Sequence, residues 1–510
     1  PDAVRHGRHD SRRLVPLLLC LSYGVLLLAW VWGNPPFASP DEWSHYVRAI
    51  GIGHGQLIGA PGHVAVPGSA TAIIKREDAW FNQATRSVTV PAHLSDATLS
   101  GQPLSCDQFQ PQISAACLAH VQLSTRPAGV VTPVGNYEPL GYILPGFLGR
   151  LGSNPFEVDH LGRLGAAAIN FTLLAAALWL LWDGSMLSLA GLLLGVTPMS
   201  LFIASSINPS GLEISAGVAF SAALLRFWRE RDPALWLCTA IGVLGLILCL
   251  SRTPSPLWAA LDGLLLVGLL GIRELRGRVV RSPRGAALAA AGVAVGAGLN
   301  RLYEHAYGSH LYLTMHDFVQ QLGPAVARLP DVVMEEVGVF GWLDTLLPPL
   351  FYRVWIGMVI ALVIIALYLG TLRQRVMLIL AICATIALPI VFSAVLTAAT
   401  GFDVQGRDML PFVVMLPLLA GEIVYRHRDA VPFKARVVGV TMLAEIVFAM
   451  QFVAWYLNGR RQSVGAGGPL WYPPVAQWSP SHLGWWPWLV AALGAVVLAM
   501  VTAYPWRRRA

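Results

Sequence analysis

The chain reads as an all-α, polytopic bundle of about twelve transmembrane helices with both termini on one side. Three observations predict this. Of 510 residues, 55% are hydrophobic and only 12% are charged, far from the balance of a soluble domain. Apolar windows of membrane-crossing length recur from one end to the other. The connections between them alternate between Arg-rich and Arg-poor, as the positive-inside rule requires of a multi-pass protein.

Taken in order, the first span covers residues 14–32 and follows Arg5, Arg8, Arg12 and Arg13. A signal peptide starts in the same way, but Asn34-Pro35-Pro36 stands where a small-residue cleavage site would be. The helix is therefore read as retained. Residues 34–159 are too polar to cross and make the largest loop, with a Ser-, Thr-, Gln- and Pro-rich middle. Further apolar windows lie at 160–182, 185–205, 211–227, 234–250, 257–272 and 285–299. After a second polar segment, 301–353, which is expected to hold amphipathic helices, they resume at 354–372, 376–398, 410–425 and 437–457. An aromatic loop, 458–485, precedes the last span and a basic tail within 486–510. Most of its aromatic residues (Trp471, Tyr472, Trp478, Trp485, Trp486 and Trp488 are in or beside it) suit an interfacial belt.

Loop charge sets the orientation. Arg226, Arg229 and Arg231 share one connection, and Arg273, Arg276, Arg278, Arg281 and Arg284 share the next. Arg373 and Arg375, then Arg426, Arg428, Lys434 and Arg436, and finally Arg507 to Arg509 follow on the same side as the basic N-terminus. That side is read as cytoplasmic. The cations are spread over short loops and form no nucleic-acid footprint. Lys75 and Lys434 are the only lysines, and this preference for Arg hints at a high-GC bacterial genome.

Of six cysteines, Cys20, Cys238, Cys249 and Cys383 fall in apolar spans, where a small buried hydrophobe is the ordinary role. Cys106 and Cys117 fall together in the first outer loop. In an extracytoplasmic compartment they are expected to form a disulfide.

That loop opens with Ser39-Pro40-Asp41-Glu42-Trp43-Ser44-His45-Tyr46-Val47-Arg48. Ser39 as N-cap, Pro40 at the first helical position and Glu42 three residues after Ser39 predict a capping box. Asp41 and His45 then share a helix face, with Arg48 one step along. Other polar stretches on the same outer side are Asn136 to Pro145, Ser206 to Gly211, Ser251 to Pro256, Glu335 to Thr345 and Asp403 to Pro411.

An outer-facing site has no nucleotide sugar to draw on, so synthesis there needs a lipid-carried activated donor. A polyprenyl-phosphate sugar is such a donor. Its transfer needs a base for the acceptor hydroxyl and cations for the departing phosphate. Asp41 is the candidate base, with Arg407, Arg252, Arg163 and Arg48 as candidate phosphate ligands, since Arg grips phosphate bidentately.

Several of these motifs, in this order, resemble known proteins. A long first outer loop with an acid just after the first helix is similar to the GT-C superfamily of polytopic glycosyltransferases. More narrowly, Pro40-Asp41-Glu42 with His45 and Arg48, Asn136-Tyr137-Glu138-Pro139-Leu140, Asn208-Pro209, Val339-Phe340-Gly341-Trp342-Leu343-Asp344 and Gln405-Gly406-Arg407 resemble a bacterial family of predicted membrane proteins. Asp408 departs from that pattern, which commonly has an aromatic residue there. The resemblance implies a GT-C-like fold, Asp41 as catalytic acid or base with Glu42 as runner-up, and His45 as an orienting or phosphate-touching residue. It puts Tyr137, Glu138, Asn208, Trp342, Asp344 and Gln405 forward as substrate-binding. Some GT-C enzymes use a divalent cation, and Asp41, Glu42 and His45 are residues of the type that ligates one; at this stage the metal is unresolved.

The expected function is transfer of a sugar, arabinofuranose by analogy, from a polyprenyl-phosphate donor to a cell-envelope glycan, lipid or protein. The expected place is the outer face of a bacterial inner membrane. Two alternatives stand beside it. A transporter or flippase of lipid-linked glycans would show inverted repeats and mid-membrane ionisable residues. A non-catalytic assembly factor would tolerate loss of Asp41.

Overall fold

A computed structural model describes residues 2–62, 80, 82–91, 94, 106–120 and 129–504 of the chain, with side chains from Leu14 onward. Lys75, the tail from Arg507 to Arg509, the side chains of Arg5, Arg8, Arg12 and Arg13, and much of the Ser/Thr-rich middle of the first loop lie outside the described residues. Of the described residues, 74% are helical.

Helix α1 (Asp2–Gly33) leads through a turn to α2 (Glu42–Gly53). Strands β1 (Ala60–Pro61), β2 (Arg86–Thr89) and β3 (Gly129–Thr132) form an antiparallel sheet in that order, with Ala60 opposite Ser87 and Val88 opposite Val130. The all-helical expectation omits this sheet. Val88 and Val90 alternate with exposed or half-exposed neighbours, the period of a strand, but over too few residues to read inside a polar loop. Helices α3 (Ile143–Gly149) and α4 (Pro155–Leu181) return the chain to the bundle. There follow α5 (Ala190–Gly195), α6 (Pro198–Ala204), α7 (Pro209–Arg229), α8 (Leu235–Cys249), α9 (Ser255–Leu270), α10 (Ile272–Arg281) and α11 (Pro283–Tyr307). The amphipathic α12 (Met315–Gly338) and the hairpin β4 (Val339–Phe340) and β5 (Thr345–Leu346) fill the second polar segment. Last come α13 (Pro349–Leu369), α14 (Leu372–Thr400), α15 (Gly406–Val413), α16 (Met415–Arg426), α17 (Phe433–Val464) and α18 (Trp486–Ala503).

Among the described residues, 9 helical segments are long and apolar enough to cross a membrane, or up to 11 if each of two bent pairs counts as one span. All the expected windows are helical, and the shortfall from twelve has local causes. The window at 185–205 bends by 70° between α5 and α6. Pro198 supplies no amide hydrogen there, and Thr197 caps the new helix by accepting from the Ser200 amide. Gln451 donates to the freed Val196 carbonyl at 2.8 Å, which keeps the break satisfied away from water. The window at 257–272 ends at Gly271, whose φ of 78° turns α9 into α10 at 99°. Helix α8 has only 15 residues.

The bundle is built around α7, whose best membrane window is 89% buried, against 17% for α11 and 22% for α14. The peripheral helices carry outward apolar side chains such as Leu264, Ile360, Ile364 and Val490, the signature of lipid-facing surface. The protein is thus a multi-pass, membrane-embedded helix bundle.

Its two ends differ. At one, the Arg-rich connections meet. Arg229 pairs with Glu422, Arg278 and Arg426 donate to the Phe227 and Trp228 carbonyls, and Arg281 pairs with Asp232. At the other end lie α2, the sheet and the turns α6–α7, α8–α9 and α14–α15.

Candidate functional site

The turns and loops of that second end enclose a cavity of about 540 Å³. Asp41 and Ser44 line it from the start of α2, and Asn136, Tyr137 and Glu138 from the segment before α3. Arg252 and Thr253 come from the α8–α9 turn, Glu304 from the last turns of α11, and Gln405, Arg407 and Asp408 from the start of α15. Leu257, Phe392, Val395, Leu396 and Met409 make an apolar wall. Five of the residues singled out in the sequence, besides Asp41, therefore meet around one space: Tyr137, Glu138, Arg252, Gln405 and Arg407.

Asp41 does not sit inside a helix led by Ser39. It is itself the N-cap of α2, with φ at 60°, in the left-handed region. Its carbonyl accepts from the Ser44 and His45 amides, but its carboxylate makes no cap bond. The carboxylate reaches out to Arg407 Nη2 at 2.9 Å instead, and remains half-exposed. Only half of the expected capping box forms: the Ser39 amide donates to Glu42 Oε2 at 3.3 Å, while Ser39 Oγ is buried with no partner among the described residues. The reason is tertiary. Glu42 is drawn to Arg163, which donates to both of its oxygens and to the Asn34 and Pro35 carbonyls. Asp159 also lies against Arg163, at 3.1 Å.

Arg407 is almost fully buried, and among the described residues its Nε and Nη1 have no hydrogen-bond partner. Gln405, on the same turn, forms a capping box with Asp408, whose carboxylate accepts from the Gln405 amide at 3.2 Å. Gly406 between them has no room for a side chain, since a Cβ would lie 2.5 Å from both the Glu336 amide nitrogen and the Val332 oxygen. Its own amide donates to Glu335 at 2.8 Å. Arg252 donates to Asp408 at 2.7 Å, to Ser210 at 3.1 Å and to Glu213 at 3.4 Å, so two carboxylates hold this second cation. Glu138 Oε1 lies 3.1 Å from the Thr253 hydroxyl and accepts from Asn300 at 3.4 Å. Burial, reinforced by the neighbouring Glu304 carboxylate, pushes its pKa up to about 7.

The other sequence candidates lie elsewhere. Glu42 and Arg163 are fully buried in their ion pair and lie away from the cavity. Arg48 is also fully buried, donating to the Leu57 and Tyr137 carbonyls and the Tyr303 hydroxyl. It fixes the backbone that presents Tyr137 and Glu138. His45 is buried with Nδ1 2.7 Å from the Tyr142 hydroxyl. Burial, and then the charges of Arg407 and Arg252, hold its pKa well below the ordinary imidazole value, so it is neutral. Asn208 caps α7 through the Ser210 amide and donates to the Pro40 carbonyl at 3.3 Å, positioning the residue before Asp41. Asp41, Glu42 and His45 thus turn to three different partners. Among the described residues no three His, Cys, Asp or Glu come together to hold a metal ion.

Trp342 and Asp344 belong to a second polar centre. Asp344 and Asp107 both pair with the buried Arg461 of α17, and Trp342 packs edge-on against Phe109. Cys106 and Cys117 are disulfide-bonded beside Asp107. Tyr472 and Trp485 are fully buried rather than interfacial. They pack against each other near Gly459, where a Cβ would lie 2.6 Å from the Tyr472 hydroxyl.

A family model described as predicted membrane protein (DUF2142) matches residues 25–416. The chain belongs to that family. Neither a curated protein nor a solved structure matches it. The DUF2142 region contains every cavity residue from Asp41 to Met409 and stops before α17 and α18. Thr253, Asn300 and Glu304 also line or support the cavity and are not among the sequence candidates. Thr253 was legible as the neighbour of Arg252, but Asn300 and Glu304 sit at the end of an apolar window and carry no motif.

Proposed function

We propose that this protein is a glycosyltransferase of GT-C type that takes a sugar from a polyprenyl-phosphate donor at the extracytoplasmic face of a bacterial inner membrane. The acceptor is a cell-envelope glycan, lipid or protein. The observation that carries the reading is the Asp41–Arg407 pair on the cavity wall, with two guanidinium nitrogens of Arg407 buried and, among the described residues, unpaired. Buried donors without acceptors are costly, and a phosphate oxyanion satisfies both. The apolar wall beside them suits the carrier's isoprenoid chain. Arg-rich loops at the opposite end of the bundle support the orientation.

On this reading the phosphate engages Arg407 and the side of Arg252. Charge that develops on the leaving phosphate oxygen is stabilised by these fixed cations. As Arg407 turns its charge to the phosphate, Asp41 is released to take the proton of the acceptor hydroxyl, whose oxygen attacks the anomeric carbon. The acceptor reaches Asp41 from the solvent side, where the carboxylate is half-exposed. Reconstituted protein supplied with a radiolabelled polyprenyl-phosphate arabinofuranose and envelope lipid acceptors tests this. Asp41→Asn is expected to lower transfer by about 10²- to 10⁴-fold with unchanged melting temperature. A fully active variant would overturn the assignment.

One observation favours transport as the second reading. Asp262 is fully buried on α9 and accepts from Ser221 of α7 at 2.6 Å, and ionisable groups inside spans are what transporters use. Under that reading, vesicles would translocate the lipid-linked sugar without consuming it.

A further inference from the structure

Thr253 Oγ1 lies 3.1 Å from Glu138 Oε1 and 2.8 Å from Glu304 Oε1. A hydroxyl carries one hydrogen and can donate to only one of them. With both carboxyls ionised, one short oxygen–oxygen contact would have no hydrogen in it and would be repulsive. The geometry is satisfied if Glu138 is protonated and donates to Thr253, which in turn donates to the Glu304 carboxylate. Asn300 ties this unit to the cation site, since its side-chain amide reaches both Glu138 Oε1 and the Arg252 carbonyl, at 3.4 and 3.1 Å.

Building on the transfer reading, we propose that Glu138 and Glu304, bridged by Thr253, hold one proton between them at neutral pH, and that Glu138 gives it to the phosphate oxygen leaving the sugar. The bond from the anomeric carbon to that oxygen breaks as the acceptor oxygen bonds to the carbon. The acceptor's proton goes to Asp41, the proton of Glu138 goes to the phosphate, and exchange with water restores both carboxyls. Atoms and charge balance without any further reactant. A phosphate monoester takes up its second proton with a pKa near 6, so an acid that titrates close to neutrality is matched to it.

The surroundings favour the proton on Glu138. It is buried, whereas Glu304 is partly exposed. The groups facing Glu138 are Arg252 from the α8–α9 turn, Arg48 from α2, Glu304 and Tyr303 from α11, and Tyr137 and Tyr142 from its own segment. Burial and Glu304 outweigh the cations, which agrees with the pKa of about 7.

The test uses the full-length protein in lipid nanodiscs, with two readouts. Infrared titration follows the carbonyl band of protonated carboxylic acids. Wild type is expected to lose one such band with a midpoint near pH 7, Glu138→Gln to lack it, and Glu304→Gln to shift the midpoint downward because the repelling charge is gone. A wild-type band unchanged in Glu138→Gln, or a midpoint indifferent to Glu304→Gln, overturns the shared proton. The second readout is kcat against pH with a short-chain polyprenyl-phosphate arabinofuranose. Wild-type kcat is expected to fall as pH rises through the band's midpoint. Glu138→Gln should lose about 10²-fold or more in kcat together with that alkaline limb. A variant that keeps the limb overturns the acid role. If wild type transfers nothing while the band titrates as expected, the transfer reading itself fails and the acid role falls with it.

Discussion

Asp41 holds a backbone conformation that costs an L-residue roughly 1 kcal/mol or more, and it does so at an N-cap whose usual side-chain bond it leaves unmade. Both departures serve one end: they free the carboxylate to meet Arg407. The sequence marks Asp41 by its place after the first span and Arg407 by its Gly-Arg setting, so each was legible singly. Their pairing was not, because nothing local ties residues so far apart. Arg163 illustrates the converse. The sequence offers it as a phosphate ligand, but its ion pairs with Asp159 and Glu42 and its bonds to the Asn34 and Pro35 carbonyls arise only from packing. A side chain that reads as a phosphate ligand is therefore the post on which the Asp41 turn is hung. Arg163→Met, which strands two buried carboxylates, is expected to destabilise the protein by about 3–5 kcal/mol. Thermal unfolding in detergent would register this as a lowered melting temperature, and an unchanged one would refute it.

Among the elements, the start of α15 is the most tightly determined. Arg328 of α12 pairs with Glu335 and Asp403, and Glu335 receives the Gly406 amide. The turn carrying Gln405 and Arg407 is thus clamped to α12, and Gly406 is where the two backbones touch. Gly406→Ala must push α15 away from α12. The expected cost is about 1–3 kcal/mol; on the proposed transfer reading, activity falls more steeply than stability as Arg407 leaves its register with Asp41. Equal activity in the variant and wild type would show that the clamp is not needed. Apolar periodicity made the spans legible, whereas the two bends and the short α8 were not, because hydropathy is indifferent to Pro198 and Gly271. The sheet escaped notice for a different reason. Its strands are two to four residues long, and non-local pairing rather than propensity defines them.

At the scale of the whole molecule, charge is sorted by end: Arg-rich turns gather at one pole and the cavity at the other. A cysteine placed at Leu151, exposed at the cavity pole, should react with a membrane-impermeant maleimide in intact cells. One placed at Arg276 on α10, exposed near the opposite pole, should react only after permeabilisation. The Cys383→Ala background removes the exposed native thiol. The reverse labelling pattern would invert the orientation. The separation of Asp41 from Arg407 along the chain also bears on how the protein is made. A membrane protein is inserted from its N-terminus as it is synthesised, so Asp41 is delivered early while its cation is still untranslated. The ion pair closes only after α14 is in place and α15 has docked on α12. Truncated products and half-inserted intermediates therefore lack the Asp41–Arg407 contact, and the cavity takes shape only when the bundle is nearly complete.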